Sequence, residues 1–394
     1  MPHADTLAGQ RRNIGLLALC QGLLLTNGVT LVAVNGLVGI TLASDPRLAT
    51  LPVTTYVLGA ALATLPASFL MKHHGRRAGF MTGSSLGILG GLLGALAVWQ
   101  QSFWLLCLGT LFSGAYNAFG QQYRFAAADI ADLSWKGKAI ALTLAGGILG
   151  GVIGPELSKH TRDLMQPTFL ATYATLAGFA LVSLLLVSRL RIPALSGEQR
   201  HATGRPMIEI ARQPAFIVAV LAAACGYGVM NLLMTATPIA MDMCRHPFSD
   251  AAFVLEWHVI GMFAPSFFTG GLIKRHGVLN ILAVGTLLMF ACVAIALAGT
   301  SVMHFWWALL LLGVGWNFLY IGGTTLLTET YRPEERAKVQ GGNDFLVFAV
   351  QGVTSLSSGV LITHEGWAIL NYWALPALAI TAIATLRWWL VRRA

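Results

Sequence analysis

Hydrophobic residues in this chain come in long runs. Twelve apolar stretches, parted by short polar breaks, occupy 14–42, 48–71, 79–99, 102–131, 138–160, 168–190, 214–242, 250–273, 278–299, 304–329, 338–363 and 367–390. A helix needs about 20 apolar residues to cross the hydrocarbon core of a bilayer. In lipid a lone segment satisfies its own backbone N–H and C=O groups only as a helix. The pattern therefore predicts an all-α membrane protein with twelve transmembrane helices.

Composition sharpens this. Of 394 residues, 56% are hydrophobic and 10% charged, whereas a soluble globular domain carries about a quarter charged residues. The 43 glycines suit close helix packing in lipid. Five scattered cysteines show no C-x-x-C or zinc spacing, so neither a disulfide framework nor a zinc site is indicated. The formal charge of +9 reads differently once it is mapped. With a cytoplasmic N-terminus, that flank and every second loop collect Arg11, Arg12; Lys72, Arg76, Arg77; Lys136, Lys138; Arg189, Arg191, Arg200, Arg205, Arg212; Lys274, Arg275; Arg332, Arg336, Lys338; and Arg387, Arg392, Arg393, which is 20 of the 25 basic residues. The opposite side holds Arg47, Lys159, Arg162 and Arg245, and Arg124 lies within a span. Such asymmetry orients membrane proteins. It predicts both termini in the cytoplasm and assigns the charge to topology, not to a nucleic-acid partner.

The longest polar interval, RLRIPALSGEQRHATGRPMIEIARQP (189–214), falls between the sixth and seventh stretches. It predicts two six-helix bundles, 1–190 and 214–394, joined by a cytoplasmic linker, 191–213. The halves repeat each other. FLMKHHGRR (69–77) answers GLIKRHGVL (271–279), with Lys72 and Lys274 202 residues apart. GAYNAF (114–119) answers GVGWNFLY (313–320), with Asn117 and Asn317 200 residues apart. Parallel repeats of this kind mark 6+6 pseudo-symmetric transporters with a site near the membrane midplane between the halves.

These features resemble the major facilitator superfamily over essentially the whole chain. SFLMKHHGRR (68–77) is similar to that superfamily's second–third loop motif, Gly-x-Leu-Ala-Asp-Arg-x-Gly-Arg-Arg. Lys72 stands where the motif has Asp, as does Lys274 in the second half, so the salt bridges attributed to that Asp are not carried over. Lys72, Arg76, Arg77 and Lys274 are expected to stabilise one conformation at the cytoplasmic gate. Thr110 takes the place of an Arg frequent in proton-coupled members, and Gly150-x-x-x-Gly154-Pro155 matches the antiporter motif only in part.

One segment carries a distinct chemistry. Met230-x-x-x-Met234 lies in the seventh stretch and His258-x-x-x-Met262 in the eighth, and each motif occurs once in the chain. Residues i and i+4 share a helix face. If the two stretches form an antiparallel hairpin about residue 246, Met234 faces His258 and Met230 faces Met262, roughly 15 and 20 Å from the turn at 1.5 Å per residue. Three thioethers and an imidazole make a soft donor set that favours Cu(I). Methionine also fills irregular cores, and a single Met pair at this spacing is packing more often than ligation. The coincidence of two such motifs at matched depth, with a histidine inside a span, tips the reading toward a metal site. The two motifs, in these two stretches, are similar to the copper-binding elements of the CcoA-like copper importers (CalT family). That resemblance implies copper uptake across the bacterial inner membrane, supplying assembly of cbb3-type cytochrome c oxidase.

Other residues carry weaker expectations. Met241, Met243, Cys244 and His246 stand at the non-cytoplasmic mouth, as a copper relay or as a surface loop with chance methionines. Arg124 needs a partner or an aqueous cavity, either Asp129 or a carboxylate from another span. Glu256, Asn117 and Asn317 are cavity or gating candidates, the asparagines more as helix-bridging groups. No nucleophile–base pair or cofactor fingerprint appears, so the expectation is a monomeric, non-enzymatic transporter with no cofactor, set in the lipid bilayer and taking copper as its substrate. The alternatives are an organic solute carrier or exporter, for instance of riboflavin, and a membrane copper sensor or chaperone that does not transport.

Overall fold

The computed structural model describes residues 7–44, 48, 51–192 and 204–393; Arg47 and the linker stretch 193–203, with Arg200, lie outside the described residues. Among the described residues every regular element is helical. In chain order these are α1 (Leu7–Leu42), α2 (Leu51–His74), α3 (Arg76–Trp99), α4 (Phe103–Gly120), α5 (Tyr123–Ile130), α6 (Lys136–Ala145), α7 (Gly147–Thr161), α8 (Leu170–Val187), α9 (Met207–Ala211), α10 (Pro214–Met243), α11 (Phe248–Phe263), α12 (Ser266–His276), α13 (Val278–Ala298), α14 (Val302–Leu327), α15 (Arg336–His364) and α16 (Gly366–Arg393).

Ten stretches among the described residues are long and apolar enough to cross a membrane, nine of them single helices and the tenth α6 running on into α7 (Lys136–Thr161), and α11 with α12, bent by 41° at their junction, forms an eleventh candidate. The bend falls at Pro265, the residue before α12, where the ring removes a backbone donor. The fourth expected span, 102–131, is instead two helices, α4 and α5, outside that set. Gln121, Gln122 and Arg124 lower its apolarity, and the structure uses their polar groups internally. Many large apolar side chains point outward, among them Leu62, Phe267, Leu287 and Leu356, as the surface of a helix bundle does where its solvent is lipid.

The chain divides into two compact units. One comprises Met1–Ile130, Gly146–Gly204 and Pro333–Phe345; the other comprises Ala131–Ala145, Arg205–Arg332 and Leu346–Ala394. The sequence halves thus trade pieces: α6 belongs with the second unit and the start of α15 with the first. In the first unit, buried glycines at four-residue intervals on α3 (Gly79, Gly83, Gly87, Gly91) face Met71, Phe119, Tyr116 and Ala177. This small-residue stripe lets α4 and α8 approach closely. In the second unit, α10, α11 and α13 all pack mainly against α14.

The sequence repeat is also a backbone repeat. Gly75 (φ 87°, ψ 161°) leads into α3, and Gly277 (φ 84°, ψ 150°) leads into α13. A positive φ of this kind is strained for residues with a Cβ, which accounts for glycine at both turns.

Candidate functional site

Four aromatic rings gather in the second unit. Trp316 and Tyr320, four residues apart on α14, lie nearly parallel with centroids 4.9 Å apart. Tyr227 of α10 meets both edge-on at 5.4 Å, and Phe263, the last residue of α11, meets Trp316 at 5.7 Å. Tyr227 and Trp316 each fall close to the middle of their helices, so the cluster sits near mid-span. The same α14 face continues to Thr324. The Trp316 indole N–H and the Thr324 hydroxyl are buried with no hydrogen-bond partner. An unmet buried donor costs about 1–3 kcal/mol, a cost that a ligand acceptor would relieve.

The soft-donor residues are placed differently from the expected hairpin. α10 and α11 touch each other sparsely, and both pack on α14. The seam on which Met234 was expected to face His258, and Met230 to face Met262, is thus the sparser one. The close seam of α11 is its α14 side, because Gly313 has no side chain there: a Cβ on Gly313 would come within 2.5 Å of the His258 carbonyl oxygen. Met230, His258 and Met262 are buried, and Met234 is half-buried. The His258 ring turns to α14, its Nδ1 lying 2.7 Å from the Leu309 carbonyl oxygen. A carbonyl only accepts, so Nδ1 carries the proton and Nε2 keeps a lone pair, which is buried and has no partner. Among the described residues no group of three or more His, Cys, Asp or Glu is arranged to hold a metal ion; thioethers fall outside that set. At the mouth, Met241 is fully buried while Met243 and Cys244 are exposed. His246 Nε2 is bound to the Thr300 carbonyl oxygen at 2.7 Å. Glu256 is exposed.

A second polar constellation lies in the first unit. Arg76 donates to Asp129 Oδ2 from Nε at 3.0 Å and from Nη2 at 2.9 Å, to Gln122 Oε1 at 2.9 Å and to Gln340 Oε1 at 2.7 Å. Arg336 donates to the same Asp129 oxygen at 3.1 Å. Arg124 pairs with Asp344, which also accepts from Gln122 Nε2 at 3.0 Å and Asn343 Nδ2 at 3.0 Å. Of the two partners expected for Arg124, the carboxylate from another span is the one present. Arg336, Gln340 and Asp344 recur every four residues and so form one face of α15. Arg76 and Arg124 are buried, whereas Arg77 is exposed and Lys72 half-buried. Asn317 ties α14 to α11 and α12: its Nδ2 donates to the Met262 carbonyl and Ser266 Oγ, each at 2.6 Å, and its Oδ1 accepts from Thr269 at 2.7 Å. Its counterpart Asn117 accepts from Gln121 at 3.3 Å.

Sequence reasoning passed over Tyr227, Phe263, Trp316, Tyr320, Gln122, Gln340 and Asp344. The i, i+4 spacing of Trp316 and Tyr320, and of Arg336, Gln340 and Asp344, was the available signal.

A bundle of membrane-length helices, built as two repeats with closely matching glycine turns, has the architecture of a secondary transporter. The Major Facilitator Superfamily profile matches residues 17–341, and the chain belongs to that superfamily. It is 42% identical over 376 residues, 95% of this chain and 94% of the relative, to the riboflavin transporter RfnT of Brucella anthropi. It is 30% identical to the MFS-type transporter YdeG of Bacillus subtilis, over 86% of this chain and 83% of the relative. Its fold matches the transporter FucP in its outward conformation, with TM-score 0.77, 17% identity and coverage of 97% of this chain and 98% of that one. A bacterial homologue of the iron transporter ferroportin matches with TM-score 0.73 and 14% identity, over 95% and 99% of the two chains. The protein is thus a multi-pass secondary transporter of a solute, and the relative at 42% identity carries riboflavin in its name rather than copper.

Proposed function

We propose that the protein is a twelve-span carrier of a flat aromatic solute, riboflavin or a close chemical relative, working by alternating access in a bacterial inner membrane. In this reading its termini and basic loops are cytoplasmic. The stacked rings of Trp316 and Tyr320, with the unpartnered Trp316 N–H beside them, carry the reading. An isoalloxazine ring presents two π faces and an edge of carbonyl and ring-nitrogen acceptors. Stacking contributes about 0.5–1.5 kcal/mol per ring pair, and the indole N–H would donate to the acceptor edge. Likeness to the riboflavin transporter supports the same reading. The test is riboflavin uptake by proteoliposomes holding the full chain. Trp316→Ala loses stacking and donor together and lowers apparent affinity roughly tenfold or more, while Trp316→Phe keeps the ring and loses about three- to tenfold. Failure of the wild type to accumulate riboflavin removes this reading.

Copper import is the second reading, favoured by one observation. His258 donates Nδ1–H to a backbone carbonyl and leaves Nε2 unpartnered and buried, the posture of metal-ligating histidines. Met230, Met234 and Met262 would supply thioethers to Cu(I), with cytochrome oxidase assembly as the use inside the cell; a non-transporting copper sensor or chaperone would use the same donors. Copper accumulation in the same vesicles that falls to background in His258→Ala and Met234→Ala selects this reading over the first.

A further inference from the structure

The second unit contains a cavity of about 540 Å³ where α6, α12 and the end of α14 converge. Its charged lining is Lys136 and Lys138 of α6, Lys274 of the last turn of α12, and Glu329 just beyond α14. Two buried threonines complete the polar wall, but their hydroxyls are committed inward: Thr325 to the Ile321 carbonyl at 2.7 Å and Thr328 to the Thr325 carbonyl at 2.6 Å. The lysines and the glutamate are therefore what gives the lining its charge. α6 and α12 meet here backbone to backbone, since a Cβ on Gly270 would come within 2.8 Å of the Gly137 carbonyl oxygen.

The repeat explains why the space is open. Offset by 200 residues, Asp129 corresponds to Glu329 and Arg336 to Lys136. In the first repeat the residue after the glycine turn is Arg76, whose guanidinium occupies the centre of the charge cluster and binds Asp129. In the second repeat that residue is Val278, so no guanidinium fills the corresponding centre. Three lysines against one glutamate leave a formal surplus of two positive charges.

We infer that this cavity is a binding site for a phosphate-bearing dianion. A phosphate monoester carries close to two negative charges at neutral pH, and lysine serves as a point-charge phosphate ligand. The volume falls within the range of small-molecule sites, about 300–1,000 Å³. That is ample for a phosphate with an organic body, whether a soluble phosphate ester or a dianionic lipid headgroup, since basic pockets between membrane helices also hold acidic lipids. Bound there, the anion ties Lys136 and Lys138, from the fifth expected span, to Lys274, at the end of the eighth. It opposes any motion that separates these elements and so slows the transport cycle. The site stands whichever solute the protein carries.

Two arms test it on the purified full chain. The soluble arm titrates flavin mononucleotide, with riboflavin as the probe that lacks phosphate, and follows binding and the thermal midpoint. The lipid arm compares the midpoint in phosphatidylcholine nanodiscs with and without about 10% cardiolipin, an acidic lipid with two phosphates. A phosphate-dependent response is expected in at least one arm, and the responding arm identifies the source. It should weaken at least tenfold in Lys136→Gln/Lys274→Gln, fade as salt rises, survive in Lys274→Arg, and persist in Arg387→Gln, a basic residue outside the cavity. No response in either arm, or an equal response in the double variant, overturns the proposal.

Discussion

At Gly75 the chain turns from α2 into α3, and 202 residues later Gly277 makes the same turn into α13, with φ within 3° and ψ within 11° of the first. The next residue differs between the two turns. Arg76 is buried and bridges Asp129, Gln122 and Gln340, so the first cluster is closed and largely self-neutralised. Val278 stands after the second turn, and the lysines of that cluster line an open cavity. One backbone device thus supports two electrostatic outcomes, decided by the single residue after the glycine. The energetic consequences differ too: buried, paired charges are costly to separate, whereas half-buried and exposed lysines are individually cheap to alter.

The largest effect should come from the deepest pair. Arg124 and Asp344 are 1% and 2% exposed, so Arg124→Ala strands a buried carboxylate and should lower stability by about 3–5 kcal/mol. Removing both charges, as Arg124→Met/Asp344→Leu, should recover most of that loss, because an apolar pair leaves no charge unpaired. Reversible unfolding in mixed micelles measures both. A double variant as unstable as the single would show that the surrounding Gln122 and Asn343 contacts, not the charge pair, hold this region.

Exchanging the residues after the two glycines tests the comparison itself. Arg76→Val removes the guanidinium and leaves Asp129 to Arg336, a loss of about 2–4 kcal/mol. Val278→Arg places a guanidinium in the second cluster, near Glu329. It should cost less, about 1–3 kcal/mol of overpacking, and should abolish the phosphate-dependent response in whichever arm shows it. A Val278→Arg protein that still responds fully would separate the phosphate site from the repeat logic.

Much of the helical architecture was legible in the sequence, because the length of an apolar run reports directly on the bilayer. The repeats were legible as well, since Lys72 with Lys274 and Asn117 with Asn317 keep near-constant offsets. Partners across the bundle were not. Arg124 announced a need for a carboxylate, but nothing local in the chain singles out Asp344, 220 residues away. The tightest seam of the eighth stretch was hidden for a related reason: neighbours in sequence were assumed to share it, whereas Gly313 draws α11 onto α14. Small residues set which helices touch, and they act from whichever helix carries them. The aromatic cluster stayed hidden because Tyr227, Phe263, Trp316 and Tyr320 come from three helices and only Trp316 and Tyr320 share a readable spacing.

The smallest contrast is the asparagine pair. Asn317 is 1% exposed and makes three hydrogen bonds of 2.6–2.7 Å to α11 and α12 or the bend between them. Asn117 is half-buried and accepts one bond of 3.3 Å within its own segment. Truncating Asn317 to Ala leaves the Ser266 and Thr269 hydroxyls and the Met262 carbonyl short of a partner, a loss of about 2–3 kcal/mol. Asn117→Ala should stay under about 1 kcal/mol. Because Asn317 fixes α14 against the bent α11–α12 pair, its loss should also slow transport, while Asn117→Ala leaves the rate nearly unchanged; unfolding and uptake on the two variants side by side measure both. Equal effects would mean that the two repeats bear the same load at this position despite their different contacts. The unequal result would place the rigid pivot of the molecule in the second repeat, beside the aromatic cluster.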